Sequence, residues 1–201
     1  MSWSAGCSAS VRHRTISIEG NIGCGKSTLI SNLILLCPEL EKTIIPEPVE
    51  RWQPMLELYY GDRKRWSFAL QTIVLQHFCT PKLRSATVFE RSPMSSIDVF
   101  ATSSYLDGTM TKTERRALLA QYNVVGWQPE TVIYLDTPVD VCLERMAKRA
   151  RPGEQLIDRK YMVDLHVRHE CMLEDYGGHV VRIDGRQDEI CVADEVMRVL
   201  T

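Results

Sequence analysis

The sequence predicts an α/β fold, a five-stranded parallel sheet flanked by helices on both faces, and two features predict it. Five short apolar runs, at residues 15–19, 43–47, 86–90, 131–135 and 179–184, are separated by longer stretches of helical periodicity. That alternation is the pattern of a buried parallel sheet. The first run leads directly into Gly20-Asn21-Ile22-Gly23-Cys24-Gly25-Lys26-Ser27-Thr28, a complete G-x-x-x-x-G-K-[ST] loop, which opens a helical stretch at 26–36. Strand, glycine turn and helix start are the setting in which such a loop binds phosphate.

The elements follow in order. Thr15-Ile16-Ser17-Ile18-Glu19 is a β-branched run suited to a buried strand. Helices are predicted at 26–36, 54–60, 66–78, 93–104, 113–125, 138–148, 159–176 and 188–200. Thr137-Pro138 offers a capping hydroxyl and a proline for the first helical turn. Pro152-Gly153 closes the helix that Thr137 opens, and Gly177-Gly178 closes the one at 159–176. With no repeat, low-complexity tract or linker, residues 15–201 read as one domain behind a flexible leader, 1–14. The leader carries Arg12, His13 and Arg14 and no acid; it is too short and polar for a secretory signal and a weak match to an organelle transit peptide.

Composition narrows the partners. Twenty-four basic and 26 acidic residues give a net charge of −2, which argues against a nucleic-acid partner. No apolar run approaches the roughly 18 residues that span a bilayer, so no membrane partner is expected. The 7 cysteines are odd in number and never spaced C-x-x-C. That argues against a zinc site or a disulfide framework, and for free thiols in a reducing compartment, the cytoplasm.

In the loop, Gly20, Gly23 and Gly25 permit positive φ and close approach of the backbone to a ligand. Loop amides and the helix start face an anion. Lys26 follows the β- and γ-phosphates, and the Ser27 hydroxyl is a ligand for Mg²⁺. A nucleoside triphosphate is the expected ligand. In open parallel sheets, ligands sit beyond the carboxyl ends of the strands. Three predicted strands end there in charge: Glu19-Gly20, Glu47 and Glu90-Arg91.

Four further segments carry a resemblance. Glu47-Pro48-Val49-Glu50-Arg51-Trp52 ends the second strand, and Glu90-Arg91-Ser92 ends the third. Between them stands Leu58-Tyr59-Tyr60-Gly61-Asp62-Arg63-Lys64-Arg65-Trp66-Ser67-Phe68-Ala69-Leu70-Gln71-Thr72, and Arg145-Met146-Ala147-Lys148-Arg149-Ala150-Arg151-Pro152-Gly153-Glu154-Gln155 follows the fourth strand. At these residues the chain closely resembles the deoxyribonucleoside kinases, the group of deoxycytidine, deoxyguanosine and mitochondrial-type thymidine kinases. The resemblance runs from about Thr15 to the C-terminus. It implies a P-loop kinase fold with an arginine-bearing lid at about 149–158. It also implies ATP and Mg²⁺ on the donor side, a small-molecule deoxynucleoside as acceptor, and a homodimer through helices near 93–104 and 113–125.

By the same resemblance, Glu47 is the base that takes the proton of the nucleoside 5′-hydroxyl as it attacks the γ-phosphorus. Arg91 clamps the 5′-oxygen region and the base carboxylate, and Glu90 helps hold Mg²⁺. Arg145, Arg149 and Arg151 are phosphate ligands, placed to stabilise transferring charge. Tyr60 and Glu154 meet the sugar 3′-hydroxyl, Trp52 and Phe100 bracket the base, and Gln71 faces its pairing edge. A carboxamide offers a donor and an acceptor, so Gln71 suits thymine and cytosine alike.

Where relatives preferring deoxycytidine and purines carry an arginine and an aspartate, this chain has Phe78 and Ser96. A thymidine-accepting pocket lined by Val74, Phe78 and Ser96 is therefore expected. The chain departs from the family at Leu70, which replaces an aromatic residue, and in the lid at Gly153 and Asp158. Two other readings compete. A thymidylate-type nucleoside monophosphate kinase shares loop and sheet but needs cations where Glu47 stands. A non-catalytic nucleotide-binding regulator keeps the loop but has no use for Glu47, Arg91 and the lid arginines.

Overall fold

The computed structural model describes residues 15–79, 88–125 and 127–200; the leader and the start of the strand predicted at 86–90 lie outside them. One parallel sheet runs in the order β2-β3-β1-β4-β5. Its strands are β1 (Ile16–Glu19), β2 (Ile44–Ile45), β3 (Val88–Glu90), β4 (Thr131–Asp136) and β5 (His179–Asp184). β1 pairs with β3 on one side and β4 on the other, so the strand order reverses at β1, where open sheets place their ligand crevice.

Nine α-helical segments cover the sheet among the described residues: α1 (Lys26–Leu36), α2 (Val49–Gly61), α3 (Arg63–Phe78), α4 (Pro93–Ser95), α5 (Thr102–Leu106), α6 (Lys112–Val125), α7 (Val139–Arg149), α8 (Arg159–Asp175) and α9 (Glu189–Leu200). Ile18 and Ile133 of the sheet, Leu33 of α1, Leu165 of α8 and Val196 of α9 are buried in one core. A smaller core joins Leu75, Ile97, Ala101, Met110 and Leu118, and Phe68 packs against it. No described helix is long and apolar enough to cross a membrane, and Cys24, Cys79, Cys142, Cys171 and Cys191 carry free thiols.

Several boundaries differ from the sequence reading, each for a local reason. β2 stops at Ile45 because Pro46 has no N–H for the ladder; Glu47 thus lies just beyond the strand. The helix expected from Pro54 already begins at Val49. Pro54 is exposed inside it, so the hydrogen bond it forfeits falls on the solvent side. Thr137 does not cap α7; it is buried and its hydroxyl donates to the Cys24 carbonyl at 3.1 Å. α7 closes on Ala150 in the left-handed region, with φ 51°, before Pro152 is reached. α8 stops at Asp175 on an extended Tyr176, one residue ahead of Gly177. The helix predicted at 93–104 is interrupted: between α4 and α5 the chain widens into a π-helical segment, Ser96–Ala101.

Candidate active site

The phosphate loop is built from backbone. Gly20, Gly23 and Gly25 all have positive φ, at 143°, 76° and 112°. At Gly23 a Cβ would stand 2.6 Å from the Cys142 carbonyl oxygen, so the loop tolerates no side chain there. The buried Lys26 ammonium bonds the carbonyls of Gly20 at 3.1 Å and Asn21 at 2.9 Å. Asn21 ties the loop to α8 through the Met162 carbonyl, 2.9 Å away. Arg145 grips the Cys24 carbonyl at 2.9 Å and the Gly185 carbonyl at 2.8 Å. An open cleft of about 840 Å³ lies over the loop, with Arg145, Arg149, Gly185, Gln187, Glu189 and Val192 on its walls.

A second cleft, of about 770 Å³, adjoins the first and shares Gly23, Lys26, Ser27 and Arg149 with it. Trp52 and Tyr60 from α2, Gln71 and Val74 from α3, and Ser96 and Phe100 from the π segment line it, with Glu47, Glu90, Arg91 and Glu154. Ser96 and Phe100, four residues apart on that segment, face the same space, and π bulges recur at functional sites. Leu70 lines it too, where the family has an aromatic residue.

The charged groups converge at the strand ends. Arg91 Nε meets Glu47 Oε1 at 3.1 Å, both side chains largely buried. Arg91 adopts φ 64° while its amide bonds the Ile18 carbonyl at 3.0 Å; this left-handed turn brings the guanidinium 4.7 Å over the Phe100 ring. Burial works against the Arg91 charge, but Glu47 and Glu19 outweigh it and its pKa is raised. The Ser27 hydroxyl donates to Glu90 Oε1 at 2.7 Å, and the Glu47 amide donates to Oε2 at 3.1 Å. Burial, then the neighbouring Glu47, push the Glu90 carboxyl above the usual range. Glu19 lies fully buried below, accepting from Ser92 at 2.7 Å. Burial raises it as well, against the pull of Arg91.

The lid folds onto α2. Arg149 holds the buried Glu154 carboxylate at 2.5 and 3.3 Å, and Arg151 reaches it at 3.4 Å. Gln53 bonds the Pro152 carbonyl at 2.9 Å. Gly153 leaves no room for a larger residue without crowding Tyr60, whose Cδ2 would be 3.1 Å from a Cβ.

Residues 16–200 match the family model described as deoxynucleoside kinase. The chain belongs to the deoxynucleoside kinase family. A thymidine kinase of Ictalurid herpesvirus 1 (strain Auburn) is 31% identical over 91% of this chain and 84% of its own length. The deoxycytidine kinase of Homo sapiens is 32% identical over 83% of this chain and 77% of its own. Among solved structures, a deoxyadenosine kinase from M. mycoides with dCMP and dCDP bound superposes with a TM-score of 0.82 at 27% identity, covering 92% of this chain and 97% of that one.

In this deoxynucleoside kinase the residues picked from the sequence divide unevenly. Loop residues 22–28, Glu47, Glu90, Arg91 and most of the predicted substrate contacts line one cleft or the other, while Gly20 and Asn21 line neither and hold Lys26 through their carbonyls. Phe78 lines neither: it is buried against His77 and Trp127, about 10 Å further along α3 than Gln71 and past the stretch that lines the cleft. Sequence reasoning missed Tyr59 and Tyr161, which line the second cleft, and Gly185, whose missing Cβ makes room for Thr137. Asp158, where the family has a proline, caps α8 by accepting from the Tyr161 amide at 2.7 Å, and so fixes where Tyr161 enters the cleft. An aspartate three residues before an aromatic at a helix start was the available signal.

Proposed function

We propose that this kinase transfers the γ-phosphoryl group of ATP to the 5′-hydroxyl of a deoxyribonucleoside, thymidine by preference, in the salvage of nucleosides for DNA synthesis. The observation that carries the reading is the Glu47 carboxylate, held by Arg91 at 3.1 Å on the wall of a cleft that opens onto the phosphate loop. A carboxylate there suits an uncharged alcohol and repels a substrate phosphate, which disfavours a nucleoside monophosphate kinase. Glu47 orients the 5′-hydroxyl and accepts its proton, and Arg91 steadies the carboxylate and the incoming oxygen. Lys26, Arg145, Arg149 and Arg151 stabilise charge on the transferring phosphoryl group.

Ser27 and Glu90 fit Mg²⁺: they are hard oxygen donors 2.7 Å apart beside the phosphate loop, and Mg²⁺ is commonly held by one or two protein oxygens plus phosphates. When bound, the ion neutralises charge on the phosphate oxygens. Tyr60 and Glu154 take the sugar 3′-hydroxyl, and Gln71 takes the pairing edge of the base between Trp52 and Phe100.

Thymidine is supported by a base end with no charged side chain among Trp52, Leu70, Gln71, Val74, Ser96 and Phe100. Deoxycytidine is the second reading, favoured by the two-way carboxamide of Gln71. Labelled ATP offered with each deoxynucleoside and each monophosphate in parallel separates these readings. Labelled thymidine monophosphate as the main product is expected, and phosphorylation of monophosphates alone would overturn the scheme. The reading also takes the enzyme as a cytoplasmic homodimer, paired through the helices around α4–α6; light scattering at micromolar concentration should give twice the chain mass.

A further inference from the structure

Behind the predicted sugar and base contacts lies a buried pair of phenols that the proposed chemistry does not use. Tyr59 on α2 and Tyr161 on α8 both line the second cleft, and their hydroxyl oxygens are 2.9 Å apart. Arg63 Nε donates to the Tyr59 hydroxyl at 3.2 Å. The Arg63 guanidinium lies 4.0 Å over the Tyr161 ring and is anchored from outside by Asp107 at 2.7 Å. Both tyrosines are buried, at 2% and 7% exposure.

Counting protons turns this geometry into a statement about the ligand. Two phenols own two O–H protons. One is spent between them, and the Arg63 N–H fills an acceptor position on Tyr59. One O–H proton is left over, whichever phenol donates to the other. Among the described residues, the hydrogen bonds of these hydroxyls are the one between them and the one from Arg63. A buried donor without a partner is costly, and buried polar groups normally find one. Both residues line the cleft. Burial holds the Tyr161 hydroxyl protonated far above neutral pH, so the donor is permanent, and a hydrogen bond from a cation strengthens the next bond in the chain.

We infer that Tyr59 and Tyr161 together present one O–H proton to the nucleoside cleft and bind an acceptor oxygen of the nucleoside, making the pair a specificity determinant of the acceptor site. The inference rests on the nucleoside-kinase reading above. It adds a preference: at this point in the cleft a sugar or carbonyl oxygen is favoured, and a group offering only N–H is disfavoured because the spare O–H then stays unpaired. Arg63 is a positioning residue, acting through Tyr59.

The test is steady-state kinetics and nucleoside binding on the full chain for Tyr59→Phe, Tyr161→Phe, the double variant and Arg63→Met, with melting curves alongside. The double variant should raise the nucleoside KM about fivefold to tenfold, with kcat and the ATP KM changing less than twofold. Each single variant leaves one phenol with its O–H free for the ligand, so its penalty should be smaller than that of the double. Nucleoside analogues each lacking one acceptor oxygen then locate the partner: for one of them, wild type and the double variant should bind equally. A double variant with a lowered melting temperature and an unchanged nucleoside KM would overturn the inference, as would a penalty that persists against every analogue. A wild type that phosphorylates no nucleoside would instead sink the reaction itself, a result distinguishable at the first control.

Discussion

The two clefts share Gly23, Lys26, Ser27 and Arg149 and differ in almost everything else. The phosphate side is made of main chain: glycines with positive φ, a loop stitched to its neighbours through the carbonyls of Gly20, Asn21, Cys24 and Gly185. The acceptor side is made of side chains contributed by α2, α3, the π segment, β3 and α8. Backbone binding recognises the phosphate common to all nucleotides and leaves little to vary. Side-chain binding puts selection in residues that can be exchanged one at a time without disturbing the sheet.

That contrast is open to experiment, beginning where the largest effect is expected. Glu47→Gln keeps shape and removes the base, so kcat should fall by about 10²- to 10⁴-fold while ATP binding, measured by titration, stays near wild type. Gly23→Ala attacks the other side: its Cβ would press on the Cys142 carbonyl, and ATP affinity should drop about 10- to 100-fold with nucleoside affinity held. Equal losses of both ligands would mean the clefts are not separable. Gln71→Ala should raise the nucleoside KM about tenfold and leave the ATP KM alone; an unchanged KM for every nucleoside removes Gln71 from the site.

The smallest effect concerns the wall between the clefts. His169 is fully buried against Phe100 and Tyr134, and burial, then Arg91, depress its pKa well below the ordinary value. Below about pH 6.5 the unfolded chain takes up a proton that the folded one refuses, so stability falls with acidification by up to about 1.4 kcal/mol per pH unit. His169→Leu should flatten that part of a denaturation-versus-pH curve, whatever it does to the absolute level.

Legibility in the sequence follows the same division. The loop, the strand ends and the charged trio Glu47, Glu90 and Arg91 were readable, because main-chain chemistry demands particular residues at particular spacings. The acceptor wall was readable only in part. Phe78 stands seven residues after Gln71, near two helical turns and so on the same face, yet that spacing also carries it about 10 Å along α3, where it is buried against Trp127 outside the cleft. Thr137 looked like a cap and serves the loop instead, a contact between residues 113 positions apart. Tyr59 and Tyr161 meet across 102 positions, and neither alone differs from an ordinary core aromatic. Local rules cannot register such pairings.

The π-helical stretch carries a last implication. An α-helix advances roughly 100° per residue, and the wider turn absorbs one extra residue within Ser96–Ala101, so shortening it by a single residue would restore regular helix and re-aim side chains inside the segment while α5 keeps its bearing. Helix content and sheet would survive, yet Phe100 or Ser96 would leave the wall. Length, as much as side-chain identity, is thus a coordinate along which base preference can drift in this fold.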